Sequence, residues 1–349
     1  MVDDRHMRRA IELARTHKTH PNPRVGAVVV DDSGLVIGEG AHLGAGDDHA
    51  EVVALRAADT AAAGSTLYVT LEPCAHHGRT PPCVEAVIAA GIRRVVVGAG
   101  DPDDRVAGSG IARLQEAGVE VVEGVLTADV RELDHGYFRH RETGLPGVTL
   151  KYAMTLDGAV AAADGTSQWI TSEEARMDAH RLRANADAVV VGAGTLRIDD
   201  PRLSVRIPGY DGPQPVPVVV AGTGDLPDTA RIWEREPVVL STTDRKVPSG
   251  RVVHVEGADG LPDPRSACHI LSELGYLDVL VEGGARLAGE WWRAGVVSRG
   301  VVYLGAMVGG GSGISPLAGA FKTIDDAAVV SLTGIRSLGP DYRIDFELK

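Results

Sequence analysis

Aromatic side chains are scarce in this chain of 349 residues, at 4%. A core without many rings must rest on Val, Leu, Ile and Ala. Cysteine is scarcer still, with three residues, which excludes a disulfide scaffold. No apolar run approaches the 18 or so residues of a membrane-spanning helix. The opening residues, Met1 to His6, carry no apolar segment of the signal-peptide kind. Basic residues are in deficit, with 35 Lys and Arg against 48 Asp and Glu, a net charge of −13. The acidic excess runs through both halves, so no basic face is available for extended phosphate neutralisation, and nucleic-acid binding is not expected. A small anionic ligand needs only a few placed Arg residues and stays open. With 44% hydrophobic and 24% charged residues, the composition is that of a soluble globular protein. The expectation is a cytoplasmic protein in a reducing compartment, with a small-molecule ligand and no membrane partner.

The length suggests two domains. In the first half, Asp3 to His17 has helical apolar spacing, and Pro21 and Pro23 end it. Strands are expected at Val25 to Val30, Leu35 to Gly40, Thr66 to Thr70, Arg94 to Gly98 and Val119 to Val122. Helices are expected at His49 to Ala58, Cys83 to Ala90 and Ile111 to Ala117. This alternation predicts an α/β sheet covered by helices. The pattern breaks around Arg139 to Gly147, where charges give way to Gly144, Pro146 and Gly147. A domain boundary is placed there, dividing 1–145 from 146–349. A second series follows, with strands at Val148 to Ala153, Ala188 to Val191, Val216 to Val220, Val238 to Leu240 and Leu277 to Val281. Helices are read at Ser172 to Asn185, with Ser172 as N-cap, and at Leu287 to Ala294. The halves read as two different α/β domains, not a duplication.

The sharpest chemical signal is His49-Ala50-Glu51, followed by Pro73-Cys74 and Pro82-Cys83. One imidazole and two thiolates can hold Zn²⁺ and leave its fourth position for water. Zinc acidifies such a water, which then needs a proton carrier. Glu51, two residues beyond His49 on a helix start, can stand beside the metal without ligating it. Cys83 opens a helix whose dipole favours its thiolate. The alternative is a closed structural zinc site with His76 or His77 as fourth ligand, in which Glu51 has no task.

The pattern is that of the zinc deaminases, except that eight residues separate the two Cys where two are usual. The stretch Thr70 to Cys83, the run Pro21-Asn22-Pro23-Arg24-Val25-Gly26, and His42 ahead of His49 resemble the bifunctional riboflavin-biosynthesis deaminase–reductase family. The resemblance implies metal ligation by His49, Cys74 and Cys83, a proton shuttle at Glu51, and a pyrimidine near Asn22 and His42. In one segment the chain departs from the family: Asp103-Asp104 stands where an Asn-Pro pair is usual.

Taken alone, the second half is quieter. Gly192-Ala193-Gly194-Thr195 and Glu282-Gly283-Gly284-Ala285 each follow a strand, where backbone N–H groups can approach a phosphate. Arg197 occupies the third-glycine position of a dinucleotide fingerprint, which disfavours a Rossmann domain. Asp157-Gly158 reads as turn chemistry and Cys268 as a buried helix residue. The order of motifs from Lys151 to Glu282 resembles the reductase half of the same family. That implies a dihydrofolate-reductase-like α/β domain behind an N-terminal cytidine-deaminase-like three-layer α/β/α domain, with Zn²⁺ and NADPH as cofactors. By the same resemblance Ser167, Arg183, Leu203, Arg206 and Glu282 contact a sugar-phosphate substrate. Ala153, Trp169, Thr195, Asp199 and the loop Gly284, Ala285, Arg286, Leu287, Ala288, Gly289 and Glu290 contact NADPH. Lys151 and Asp199 are the candidates to supply the proton of the reductive step, and a homo-oligomer, dimer or tetramer, is expected. The rival readings are a nucleobase or tRNA deaminase with a non-catalytic C-terminal module, and a zinc-stabilised interaction protein.

Overall fold

The computed structural model describes residues 2–77, 81–103, 106–319 and 321–348. Gly78, Arg79 and Thr80 of the cysteine-spanning motif, and Asp104 with Arg105, lie outside these. Two compact units divide the chain, Met1–Thr143 and Gly144–Lys349.

The first unit runs α1 (Val2–Ala14), β1 (Gly26–Val30), β2 (Val36–Ala41), α2 (Ala50–Ala58), β3 (Thr66–Leu71), α3 (Cys83–Ala89), β4 (Arg94–Ala99), α4 (Ser109–Glu116), β5 (Glu120–Glu123), α5 (Thr127–Leu133) and α6 (His135–Thr143). The sheet order is β2-β1-β3-β4-β5. The first two pairings are antiparallel and the last two parallel. Strand β1 is buried along its whole length and all-apolar after Gly26, as a strand covered on both faces must be. Ala27 pairs with Gly40, so Gly26 and Gly40 point to opposite faces of the sheet. A methyl at Gly26 would strike the backbone of α1, and one at Gly40 the backbone of α2. The two helices therefore cover opposite faces, and glycine is what lets each come so close.

The second unit runs β6 (Gly147–Met154), α7 (Glu173–Asn185), β7 (Ala188–Gly192), α8 (Ala193–Asp199), β8 (Val216–Val220), β9 (Val238–Ser241), β10 (Arg251–His254), the short β11 (Gly257–Ala258) and β12 (Leu261–Pro262), α9 (Pro264–Glu273), β13 (Asp278–Val281), α10 (Ala285–Arg293), β14 (Arg299–Leu304), β15 (Val330–Leu338) and β16 (Asp341–Leu348). Its main sheet is ordered β10-β9-β8-β7-β13-β6-β14-β16-β15. Parallel pairing holds from β10 to β14, and the β15–β16 hairpin closes the edge antiparallel. Strands β7 and β13 are buried along almost their whole length, and two apolar clusters split their side chains between the faces of the sheet. Cys268 is buried within α9. Asp157 accepts the Thr155 hydroxyl and the Gly309 and Gly310 N–H groups, holding a turn with Gly158 at φ +89°.

Candidate functional sites

In the first unit the chemistry gathers where β3 ends and α2 and α3 begin. His49 is the residue before α2, in extended conformation at φ −72° and ψ 157°. Cys74 follows the end of β3, and Cys83 is the first residue of α3. His49 Nδ1 lies 3.0 Å from Cys83 Sγ and 3.6 Å from Cys74 Sγ, and the two sulfurs are 3.5 Å apart. A tetrahedral zinc with ordinary bond lengths separates its thiolates by about 3.8 Å and a thiolate from a His nitrogen by about 3.6 Å. The triangle fits a zinc ion after a widening of up to about 0.6 Å, largest between His49 and Cys83. Neither His76 nor His77 joins this group among the described residues. Among the described residues the group offers three donors, the number found in zinc sites that keep a fourth position open.

The α3 end also acts on the other thiol. The Cys83 N–H donates to Cys74 Sγ at 3.4 Å, and the Val84 N–H to the Cys74 carbonyl at 3.3 Å. A hydrogen bond from the Cys83 thiol, with His49 beside it, holds Cys74 down at about 4, while sharing that proton pushes Cys83 up. Both thiols would give up their protons to hold a zinc ion here. Glu51 is 3% exposed and outside the ligand triangle. Burial raises its proton affinity, opposed by the His49 charge.

Asn22 and His42 meet beside this triangle. Their Nδ2 and Nε2 atoms are 3.1 Å apart, and the His42 and His49 rings are 5.3 Å apart. His42 Nδ1 lies 3.2 Å from the Asp48 carbonyl. A carbonyl only accepts, so Nδ1 carries the proton and Nε2 accepts from the Asn22 amide. Burial lowers the His42 proton affinity, which suits this neutral ring. Asp103 is buried, donates its N–H to Asp101 and pairs with Arg141 at 3.3 Å.

In the second unit a cleft of about 960 Å³ opens beyond the carboxyl ends of β6, β7 and β13, where ligands of open α/β sheets bind. Lys151 and Ala153 reach it from β6, Thr195 and Asp199 from α8, and Glu282 and Gly284 from the turn after β13. Ser167, Trp169, Leu203 and Arg206 line it from the connecting segments. Trp169 is 62% exposed with Arg176 stacked on it at 4.5 Å, a cleft aromatic and not a core one. The expected loop 284–290 is the first part of α10. Ala285, Arg286, Leu287 and Glu290 line the cleft, whereas Ala288 packs in the core and Gly289 meets the Ala318 backbone. The Gly284 N–H donates to the Thr195 hydroxyl at 2.9 Å.

Arg183, one of the expected sugar-phosphate contacts, is also engaged within the protein. It donates twice to Glu282, at 2.6 and 3.0 Å, and once to the Ser204 carbonyl at 3.1 Å. Burial opposes ionisation of Glu282, but Arg183 and Lys151 (3.7 Å away) outweigh it and hold the carboxyl at about 2. Arg206 lines the cleft, and no ion-pair partner of its guanidinium stands among the described residues, so it is available to an anion. Sequence reading missed His180, whose Nδ1 accepts the Arg206 N–H at 3.3 Å. Burial, then Arg183 and Arg206, depress this ring to about 4. Its place in the run His180-Arg181-Leu182-Arg183 was the available signal. Burial also raises the carboxyl of Asp199.

Residues 1–99 match the zinc-binding region of cytidine and deoxycytidylate deaminases, and residues 146–344 match the RibD C-terminal domain. The riboflavin biosynthesis protein RibD of Chlamydia muridarum is 40% identical, covering 98% of this chain and 95% of its own. The chain belongs to the RibD family. Solved RibD structures agree along the whole length. RibD from Acinetobacter baumannii superposes with a TM-score of 0.90 at 36% identity, covering 100% of this chain and 99% of that one. A Thermotoga maritima protein described as a diaminohydroxyphosphoribosylaminopyrimidine deaminase and 5-amino-6-(5-phosphoribosylamino)uracil reductase gives 0.89 at 33% identity, with the same coverage. As a RibD-family member the chain is a bifunctional enzyme of riboflavin biosynthesis, a zinc-dependent deaminase joined to an NADPH-dependent reductase.

Proposed function

We propose that residues 1–145 remove the 2-amino group of 2,5-diamino-6-(5-phosphoribosylamino)pyrimidin-4-one by hydrolysis, and that residues 146–349 reduce the ribosyl group of the product to ribityl. The observation that carries this reading is the His49–Cys74–Cys83 triangle with a buried, non-ligating carboxyl at Glu51. An interaction protein has no use for that carboxyl, and a cleft lined by Arg206, Glu282 and Trp169 argues against a non-catalytic second half.

His49, Cys74 and Cys83 hold zinc, which when bound polarises and acidifies the attacking water. Glu51 takes one proton from the water and delivers it to the pyrimidine nitrogen, then takes the second from the added hydroxyl and delivers it to the departing amine. Its raised proton affinity suits a group that must hold a proton between two transfers. Asn22 and His42 orient the pyrimidine. In the second half NADPH supplies the hydride. Ala153, Trp169, Thr195, Asp199 and the α10 residues on the cleft hold that cofactor. Ser167, Arg183, Leu203, Arg206 and Glu282 contact the sugar phosphate, with Arg183 keeping Glu282 ionised.

The same reading makes the partners small molecules. The charge of −13 supports the absence of nucleic acid. Three Cys in 349 residues, too few for a disulfide scaffold, support a reducing cytoplasm. Exposed Leu332, Ile335 and Tyr342 on the edge hairpin support a homo-oligomer, which sedimentation resolves into dimer or tetramer.

A coupled assay tests the function. The phosphoribosylamino-pyrimidine is supplied with NADPH while ammonia release and NADPH oxidation are followed together. The wild type gives both. Glu51→Gln gives no ammonia, keeps its zinc, and still oxidises NADPH when handed the deaminated product. Ammonia release without any NADPH oxidation refutes the second activity, and a fully active Glu51→Gln refutes the shuttle.

A further inference from the structure

One buried carboxylate grips both ends of the segment that carries Asn22. Asp134, 2% exposed, stands directly after α5. Its Oδ1 accepts from His20 Nε2 at 2.6 Å, and its Oδ2 accepts from the Arg24 backbone N–H at 2.7 Å. Between these two points lie Pro21, Asn22 and Pro23. Two prolines fix their own φ angles and donate no N–H. Within the segment, the Asn22 N–H donates to the Thr19 carbonyl and the Thr19 hydroxyl to the Asn22 carbonyl, each at 3.0 Å. The segment is a stiff arch, and Asp134 is its footing.

The arch delivers one group. The Asn22 amide nitrogen is committed to His42 Nε2, and His42 is committed through Nδ1 to the Asp48 carbonyl, one residue before His49. A route of hydrogen bonds thus runs from Asp134 through the arch to Asn22, His42 and the start of α2. With one N–H of its NH₂ so committed, which fixes the amide's orientation, Asn22 offers its Oδ1 carbonyl to a donor on a ligand, such as a ring N–H or an exocyclic amine.

We propose that Asp134 is a positioning residue of the deaminase site, acting through Asn22: it holds the arch so that the Asn22 carbonyl meets the pyrimidine. The inference rests on the reading of Asn22 as a pyrimidine contact. Asp134 touches no substrate itself, and none of the three metal ligands bonds to it. Its loss therefore weakens substrate binding and leaves zinc and the bond-making step in place.

The test is a double-mutant cycle on full-length, zinc-loaded protein, with KM and kcat of deamination measured alongside zinc content and reductase rate. Asp134→Asn keeps one acceptor oxygen where two are used. KM is expected to rise roughly tenfold, in line with a lost charge-assisted hydrogen bond, with kcat within about twofold. Asn22→Ala raises KM similarly. The double variant is no worse than the more impaired single one, because both act through one contact. A footing with only a structural role gives effects that add. His20→Ala, which frees one end of the arch and leaves the Arg24 bond, raises KM in the same direction. If Asn22→Ala raises KM while Asp134→Asn and His20→Ala do not, or if the effects are additive, the inference is overturned and the reading of Asn22 stands. If Asn22→Ala leaves KM unchanged, both fall.

Discussion

His180 and Glu282 sit back to back around Arg183, and each is forced away from its ordinary protonation. Burial and two guanidiniums hold the His180 ring down at about 4 from 6.5. In the unfolded chain this ring takes its proton near 6.5. Between those values the unfolded state binds more protons, so acidification through the window destabilises the folded second unit. Glu282 adds a lower window. Its folded value of about 2 lies below the ordinary 4.5, so the stability it contributes is complete above 4.5 and is lost as pH falls towards 2. His180→Gln keeps an acceptor for the Arg206 N–H but cannot titrate. The drop in urea-unfolding free energy of the second unit between pH 7 and 4.5 is therefore smaller in this variant. Equal drops in variant and wild type contradict the assignment. The family resemblance grouped Arg183, Arg206 and Glu282, yet gave no sign that Arg183 and Glu282 pair with each other. Pairing across 99 positions is set by the fold and leaves no local trace.

At the scale of elements, the approach of α2 to β2 decides where His49 and Glu51 stand. Gly38 and Gly40 face the helix, and a methyl at Gly40 would meet the Ala50 carbonyl, the Ala54 N–H and the Val53 side chain. Backbone cannot yield as a flexible side chain does. Gly40→Ala should cost about 1–3 kcal/mol of overpacking and lift the start of α2 from the sheet. His49 goes with it, so chelator competition should show weakened zinc binding while the reductase rate holds. Wild-type affinity would show that α2 does not set the metal geometry. Most elements near the sites were legible. Buried parallel strands read as apolar runs, and Pro82, Ser172 and the residues after β13 mark helix starts. What escaped has physical reasons. Helix α6, in the sequence His135 to Thr143, is too rich in charge to show an apolar stripe, so no helix is read there from sequence. The β15 strand keeps side chains exposed along most of its length and shows no alternation. Both elements are secured by tertiary partners, and propensity alone does not reveal them.

For the whole molecule, the two sites lie in units that each hold their own sheet, and the metal ligands all belong to the first. None of the described residues lining the second unit's cleft is a thiol or imidazole, the donors that gather in the first unit. Removing the metal should therefore separate the activities. After chelation and removal of the chelator, ammonia release from the diamino substrate stops. NADPH oxidation continues at its former rate when the deaminated product is supplied. Added zinc restores ammonia release, and restores it poorly below the pH at which His49 protonates, since a ligand must give up its proton to bind. The raised proton affinity of His49, caused first by its bond with Cys74, sets that limit higher than an isolated imidazole would. Loss of both rates on chelation would mean that the metal site supports the second unit as well, and one ion would then serve two reactions.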